Sequence, residues 1–417
     1  MRFWPVLLAL AVMVGTARAD VLYHWTQPLS EELQSFRAVV EGPLCPLITV
    51  DATPRQMQRR AGPIPDFPNS VCSYQSDRMV HAASLGERVF PLSPRDAQNV
   101  LLIGDTGCRL RHGSPIQHCE NGEDWPFATV AASLAKAEAD IAIHLGDYLY
   151  RESECPDPTL CGSVHGDNWP TWEADFFRPA QVMLNAHPFV FVRGNHEKCT
   201  RNWLGFLRYF SLEPLDEPLG APLFCDNYYP PFMVGFADLQ LAVLDSSTRD
   251  RHHYTWDRYR AMRDQFLAIL PLIDRETWVL THAPLWGVGT IEGEPDSLIT
   301  LETIQREAFG DMMPRLVSAI LSGDLHFAQI ISVENHPLQL TFGNGGTSLY
   351  PTPRGLQDDL PVGSGVSGDL FGYQGFGFGR VERGKPEAPV TLFDRNGAQV
   401  GSCQADLGAN SCMEGEL

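Results

Sequence analysis

The chain contains 417 residues, 44% of them hydrophobic, and its formal net charge at pH 7 is −20. This length and apolar content allow a large core and more than one domain. So acidic a chain is a poor general binder of nucleic acids or anionic membranes, although the charge also agrees with simple solubility.

Residues 1–19 predict a signal peptide. A basic start at Met1-Arg2 precedes the apolar run 3–14, and Ala17-Arg18-Ala19 is a small-x-small cleavage site. An uncleaved anchor is the alternative, which the shortness of the run disfavours. No later apolar run approaches the length of a membrane span. We therefore expect cleavage near Ala19/Asp20 and a secreted or periplasmic mature protein without a membrane span.

The ten cysteines all follow this segment, and their number is even. In an oxidising compartment such a set indicates disulfides, although connectivity does not follow from sequence alone. Pairing sequential neighbours predicts Cys45–Cys72, Cys108–Cys119, Cys155–Cys161, Cys199–Cys225 and Cys403–Cys412. Three of these bridges would hold loops that carry polar candidate ligands. The alternative for Cys108 is that its thiolate binds a metal.

Residues 20–96 predict a small β domain that serves packing and support, because short β-branched runs alternate there with Pro and Gly. From residue 99 strands and helices alternate, which indicates an α/β domain over 97–400, followed by a C-terminal tail over 401–417. The predicted strands are 99–103, 141–145, 189–192, 239–244, 277–280 and 338–342. The predicted helices are 126–139, about 172–186 with an interruption at Pro179, 257–270 and about 314–319.

One layout recurs along this second domain: an apolar strand runs into a short loop that opens on Asp, Asn or His. The loops carry Asp105, Asp147, Asn195 with His196, His282, and Asp324 with His326. Ligands bind at the carboxyl ends of strands in open α/β sheets. Hard ligands that arrive there from several strands indicate a metal site.

The set is too large for one tetrahedral zinc and fits two metals about 3.5–4 Å apart. Tyr150 adds a phenol, and Asp147, on the central strand, suits a carboxylate shared by both ions. Two metals can hold a bridging hydroxide as nucleophile and clamp a phosphoester. His196 can contact the phosphoryl group or protonate the leaving group. His144, His187 and His336 are interpreted as ordinary core or capping residues.

The spacing of these residues resembles the calcineurin-like metallophosphoesterases, and among them the purple acid phosphatases most. The resemblance covers about residues 99–350. Four motifs carry it: GDxG at Gly104-Asp105-Thr106-Gly107, GDxxY at Gly146-Asp147-Tyr148-Leu149-Tyr150, GNH[DE] at Gly194-Asn195-His196-Glu197, and VxxH at Val279-Leu280-Thr281-His282.

The resemblance implies a four-layer αββα sandwich behind the small β domain, and two metal ions. Asp105, Tyr150 and His326 would hold Fe(III). Asn195, His282 and Asp324 would hold a divalent Fe, Mn or Zn. Asp147 would bridge the ions as a catalytic residue, and His196 would donate a proton and contact phosphate. For the phenolate position, Tyr148 is the alternative to Tyr150.

One motif departs from the family pattern, since GHxH is replaced by Gly323-Asp324-Leu325-His326. A GD-x-H ending is similar to the secreted PhoD-type alkaline phosphatases. As a ligand, Asp324 would favour Mn, Mg, Ca or Fe(II) over Zn, because its oxygen is harder than imidazole nitrogen. Alternatively, Asp324 only orients a neighbouring ligand.

The sequence thus predicts an exported binuclear phosphatase that hydrolyses small-molecule phosphoesters, in particular monoesters, with no nucleic-acid partner. A phosphodiesterase, a nucleotide-directed hydrolase or a PhoD-like hydrolase is the alternative, because the same metals and nucleophile serve them all. A pseudo-enzyme that only binds metal or a partner is a further alternative, which Asp324 alone supports.

Overall fold

A computed structural model of the protein describes residues 20–113, 115–215, 224–248, 255–363, 365–383, 389–406 and 409–414. The predicted signal peptide, residues 1–19, lies outside these ranges. Among the described helices, none has both the length and the apolar composition needed to cross a membrane.

The N-terminal part forms two antiparallel four-stranded sheets, ordered β1-β2-β6-β5 and β4-β3-β7-β8. The strands are β1 Val21–Pro28, β2 Leu33–Glu41, β3 Leu47–Val50, β4 Thr53–Gln56, β5 Gln58–Ala61, β6 Asn69–Asp77, β7 Ala83–Leu85 and β8 Arg88–Val89. Phe36, Ile48 and Phe90 fill the core between the sheets, and the Cys45–Cys72 disulfide joins this core.

A seven-stranded sheet, ordered β11-β10-β9-β22-β23-β24-β25, forms one half of the second part. Its strands are β9 Asn99–Ile103, β10 Ile141–His144, β11 Phe189–Phe191, β22 Gly377–Glu382, β23 Pro389–Asp394, β24 Gln399–Asp406 and β25 Ala409–Glu414. The first three are parallel, so their carboxyl ends share one edge. The segment predicted as a tail is instead mostly strand, since β24 and β25 pair with each other and extend the sheet.

An eight-stranded sheet, ordered β12-β13-β14-β17-β19-β18-β21-β20, forms the other half. Its strands are β12 Phe232–Gly235, β13 Gln240–Val243, β14 Thr277–Leu280, β17 Val317–Ser322, β18 Ala328–Ser332, β19 Leu338–Phe342, β20 Gly355–Gly363 and β21 Val366–Tyr373. The strands β13, β14, β17 and β19 run parallel. A separate hairpin joins β15 Trp286–Ile291 and β16 Glu294–Glu302.

The two large sheets face each other, and helices cover their outer faces. Val100, Ile143, Leu241 and Leu321 lie in the shared core between the sheets. The helices α1 Phe127–Leu134, α2 Pro158–Cys161, α3 Trp169–Trp172, α4 Arg178–Ala186 and α5 Trp203–Tyr209 contribute to the core outside the seven-stranded sheet. The helices α6 Trp256–Ile269 and α7 Ile304–Phe309 contribute to the core outside the eight-stranded sheet. The predicted four-layer αββα sandwich is therefore confirmed.

Two of the predicted helices differ in the structure. The predicted helix near 314–319 is wrong, because Val317–Ser322 is the buried strand β17 between β14 and β19. A short apolar run alone does not distinguish a strand from a helix. Here the run forms a strand because it is buried between the strands β14 and β19. The predicted helix about 172–186 continues through a π-helical turn, Glu173–Phe177, and Pro179 lies in the first turn of α4. The π-helical turn lies just before Pro179, whose ring nitrogen cannot donate to the preceding turn.

Buried arginines join the N-terminal sheet to the end of α5 and to the segment after it. Arg37 donates to the carbonyl oxygen of Tyr209 at 2.7 Å, and Arg60 donates to that of Ser211 at 2.6 Å. In the other direction, Arg208 donates to the carbonyl oxygen of Gly62 at 2.6 Å. Buried polar groups are costly unless hydrogen-bonded, so these contacts hold the segment in one position.

All ten cysteines form disulfides, in the five pairs predicted from neighbouring positions. Three of the bridges lie directly after the loops that carry Asp105, Tyr150 and His196. The pairing of Cys108 with Cys119 excludes Cys108 as a thiolate ligand.

Candidate metal centre

Three aspartates follow buried strands in the same unusual backbone conformation. Asp105 follows β9, Asp147 follows β10 and Asp324 follows β17, with φ angles of 55°, 59° and 66°. The left-handed region costs a non-glycine residue roughly 1–2 kcal/mol, and such strain clusters at functional sites. The backbone N–H of Asp324 donates to Oδ2 of Asp105 at 2.9 Å, which joins the edges of the two sheets. The chain thus turns sharply at each strand end and brings the carboxylates together.

The first group of candidate ligands surrounds the phenol oxygen of Tyr150. That oxygen lies 2.9 Å from Oδ1 of Asp105, 2.6 Å from Oδ2 of Asp147 and 3.1 Å from Nε2 of His326. On the other side of its ring, Nδ1 of His326 lies 2.8 Å from the carbonyl oxygen of Ser348. Because that carbonyl can only accept, Nδ1 donates and Nε2 faces the site as an acceptor.

The second group surrounds Nε2 of His282. This nitrogen lies 3.2 Å from Oδ2 of Asp147, 3.2 Å from the amide oxygen of Asn195 and 3.8 Å from Oδ1 of Asp324. Nδ1 of the same ring donates to the carbonyl oxygen of Leu145 at 2.7 Å, so in the neutral ring Nε2 is the nitrogen with a free lone pair.

In this arrangement the Asn195 amide oxygen faces only other acceptors. Turning the amide over would let its nitrogen donate to His282 and Asp324 instead, at 3.2 and 3.1 Å. The orientation that turns the amide oxygen to this point is the one that a cation would use, because metal ligands present lone pairs to a common point. The donor set of three oxygens and one imidazole nitrogen therefore fits a metal ion.

The charges of the site also require positive partners. Burial raises the pKa of Asp105 well above its ordinary value. Burial acts in the same direction on Asp147, but His282 and His196 outweigh it and hold the pKa of Asp147 well below its usual range. Burial lowers the pKa of His282, yet Asp147 and Asp105 reverse this and raise the pKa to about 9. When His282 loses its proton and binds a metal, the metal ions would supply the positive charge that the buried carboxylates require.

Glu197 is a positioning residue that sequence reasoning did not assign. It is fully buried, and its carboxylate accepts from the backbone N–H groups of Asp147 at 3.1 Å, Tyr148 at 2.9 Å and Gly194 at 3.1 Å. A β-carbon on Gly194 would come within 2.2 Å of the Asp147 backbone nitrogen, so the two loops meet without space for a side chain. The sequence indication for Glu197 was its place as the fourth residue of the GNH[DE] motif.

Asp175, on the π-helical turn, was also missed. Its carboxylate accepts from the backbone N–H of Cys108 at 2.9 Å and that of Tyr150 at 2.8 Å, and it forms a buried ion pair with Arg151 at 3.0 Å. It therefore joins the loop after Asp105 to the loop after Asp147. No local motif marks it, because its partners lie 24 to 67 residues away in sequence. π-helical turns occur often at functional sites.

His196 lies at the mouth of the site and packs against the ring of Tyr150, with ring centroids 3.8 Å apart and the ring planes tilted by 32°. Its Nε2 lies 3.8 Å from Oδ2 of Asp147, and its Nδ1 lies 2.9 Å from Oε1 of Glu152. On the opposite side, Tyr350 stacks on His326 at 4.2 Å. The His196 imidazole therefore has one nitrogen towards the candidate ligands and the other towards a carboxylate.

The structure brings all the sequence-predicted site residues to one place: Asp105, Asp147, Tyr150, Asn195, His196, His282, Asp324 and His326. Asp105, Asp147 and His282 form a buried group whose ligand atoms all lie within 4.8 Å of one another. Tyr148 points away, since its hydroxyl donates to the carbonyl oxygen of Val192 and its ring stacks on His144. Tyr150 is therefore the tyrosine in the site.

The fold is similar to that of other solved structures. One is the purple acid phosphatase PPD1 from yellow lupin (Lupinus luteus), with a TM-score of 0.58, 12% identity, and coverage of 95% of this chain and 74% of that chain. Another is PhoD, with a TM-score of 0.54, 12% identity, and coverage of 95% and 92%. At these identities the similarity shows the fold alone. A search of curated protein sequences finds no match.

The family model for calcineurin-like phosphoesterases matches residues 98–327, which is more than half of the chain. The matched segment begins just before β9 and ends just after His326, so it contains all the candidate ligands. The chain therefore belongs to the calcineurin-like phosphoesterase family and is a phosphoester hydrolase.

Proposed function

We propose that the protein is an exported binuclear metal phosphatase that hydrolyses phosphomonoesters of small molecules. The observation that carries the proposal is the position of Asp147 between two donor groups. One oxygen, Oδ2, lies 2.6 Å from the phenol oxygen of Tyr150 and 3.2 Å from Nε2 of His282. A carboxylate shared in this way suits a bridge between two ions.

Asp105, Tyr150 and His326 would hold one ion, and the phenolate among them suits Fe(III). Asn195, His282 and Asp324 would hold the second, a divalent Fe, Mn or Zn. The oxygen of Asp324 at the second position favours Mn or Fe(II) over Zn, because it is harder than a second imidazole. When bound, the two ions supply an activated water and neutralise charge on the phosphoryl oxygens.

The chain's own groups supply proton transfer and orientation. His196 would hold a proton at Nε2, which faces the ligand side, and release it to the leaving oxygen as the ester bond breaks. Glu197 and Asp175 fix the loops, so the ligands keep their geometry before a substrate arrives. The monoester preference rests on the resemblance to purple acid phosphatases. Export is supported by the five disulfides, which persist in oxidising compartments.

The test combines metal analysis of protein purified from its own cells with turnover of p-nitrophenyl phosphate and bis(p-nitrophenyl) phosphate. We expect about two ions per chain and a higher kcat/KM for the monoester. Faster turnover of the diester would contradict the monoester assignment. Two bound ions without turnover of either ester would contradict the catalytic proposal. N-terminal sequencing of the mature protein should begin at or near Asp20.

A further inference from the structure

The carboxylate of Glu152 lies beside the nitrogen of His196 that does not face Asp147. The distance from Oε1 to Nδ1 is 2.9 Å, whereas Nε2 lies 3.8 Å from Oδ2 of Asp147. Nδ1 is shielded from solvent and has no other hydrogen-bond partner among the described residues. The angle between the two groups is not yet that of a hydrogen bond, a misalignment that catalytic pairs often show before substrate binds.

Both partners are held in place from several sides. Arg201 approaches Oε1 of Glu152 with its Nε at 3.4 Å, and Arg111 approaches Oε2 with its Nε at 4.0 Å. The backbone N–H of His196 donates to Oδ1 of Asp147 at 2.8 Å. The ring of His196 rests against Tyr150. The carboxylate therefore meets the imidazole edge in a defined position, on a loop that no family motif covers.

We propose that Glu152 is a positioning residue for the proposed phosphatase reaction, on which this inference rests. It accepts a hydrogen bond from Nδ1 of His196 and thereby keeps the transferable proton at Nε2, towards the leaving group. In that step the oxygen of water bonds to phosphorus and the ester P–O bond breaks. The electron pair of the broken bond stays on the leaving oxygen, which takes the Nε2 proton. The proton released by the attacking water restores the imidazolium.

Esters with different leaving groups distinguish a positioning role of Glu152 from a purely structural one. An alkoxide needs protonation as it leaves, whereas p-nitrophenolate is stable without it. Glu152→Gln should lower kcat/KM for an alkyl phosphate such as glycerol 2-phosphate by roughly 10- to 100-fold. The same variant should lower kcat/KM for p-nitrophenyl phosphate by less than about threefold. Glu152→Asp should recover part of the loss, because it restores a carboxylate on a shorter side chain.

Two further variants complete the experiment. Glu154→Gln is the matched control, since Glu154 is an exposed carboxylate two residues further along the same loop, and both esters should be hydrolysed as before. The double variant Glu152→Gln/His196→Ala should hydrolyse the alkyl ester no more slowly than His196→Ala, because Glu152 acts through the imidazole. Equal losses on both esters, or additive losses in the double variant, would overturn the inference and leave the proposed function intact.

A second measurement does not depend on turnover. In zinc-loaded full-length protein, ¹⁵N NMR of His196, assigned with His196→Ala, should show a protonated Nδ1 that loses its hydrogen-bonded shift in Glu152→Gln. An unprotonated Nδ1 would overturn the inference. A wild-type protein that hydrolyses neither ester would refute the proposed function, and the NMR result would still decide the orientation of His196.

Discussion

The phenol oxygen of Tyr150 lies 2.6 Å from Oδ2 of Asp147, within the fully buried part of the site. Burial and the adjacent carboxylate of Asp105 raise the pKa of Tyr150 well above its ordinary value. A phenolate at this position therefore needs a strongly charged cation, and Fe(III) supplies more stabilisation than a divalent ion.

Tyr150→Phe should abolish the broad visible absorption band that we expect from the iron-loaded protein, because the band requires a phenolate on Fe(III). Tyr148→Phe is the matched control and should keep the band, since the hydroxyl of Tyr148 donates to Val192 instead of facing the site. Absorption spectra are to be recorded beside iron analysis of each variant. A colourless wild-type protein with stoichiometric Fe(III) would contradict the assignment.

Asp147→Ala should remove nearly all activity and lower bound metal from about two ions per chain to less than one, because the shared oxygen serves both donor groups. Total metal by elemental analysis, with kcat/KM measured in parallel, checks this. His187→Gln is a suitable control, since His187 lies away from the site against the carbonyl oxygen of Leu134. Retention of both ions in Asp147→Ala would show that this residue is not the bridge.

Binding of a divalent ion by Asn195, His282 and Asp324 should release about one proton per chain at pH 7, because the pKa of His282 in the metal-free site is raised to about 9. Affinity should rise about tenfold per pH unit below that value. In the metal-free protein the same shift stabilises the fold below pH 6.5, and this contribution is lost as the pH rises through 9. Calorimetric titration in two buffers of different ionisation enthalpy measures the release. Identical apparent enthalpies in both buffers would contradict it.

Asp175→Asn should lower the free energy of unfolding by about 3–5 kcal/mol, because it leaves the charge of Arg151 buried without its partner. Both side chains are almost inaccessible, with 2% of Arg151 and 0% of Asp175 exposed. Glu31→Gln breaks the exposed ion pair with Arg275 and should cost only about 0–1 kcal/mol. Urea titration of the metal-free variants compares the two. If Asp175→Asn lowered the free energy of unfolding by less than Glu31→Gln does, the buried ion pair of Asp175 with Arg151 would not have this stabilising role.

The candidate ligands could be predicted from sequence because their positions depend on local order. Asp105, Asp147 and Asp324 each follow an apolar strand directly, and parallel strands end at a common edge. The cysteine pairs could also be predicted, because neighbours in sequence need only short loops to meet. The alternation of strands with helices was sufficient for the fold class.

Only the tertiary structure decided the orientation of Tyr148 and Tyr150, because strand alternation ends at the left-handed turn of Asp147. It also decided which carboxylates support the site. Glu197 and Asp175 act on backbone N–H groups up to 67 residues away, and such partners leave no local spacing in a sequence. The strand β17 and the terminal strands β24 and β25 depended likewise on their neighbours, since burial between adjacent strands sets the conformation of a short apolar run.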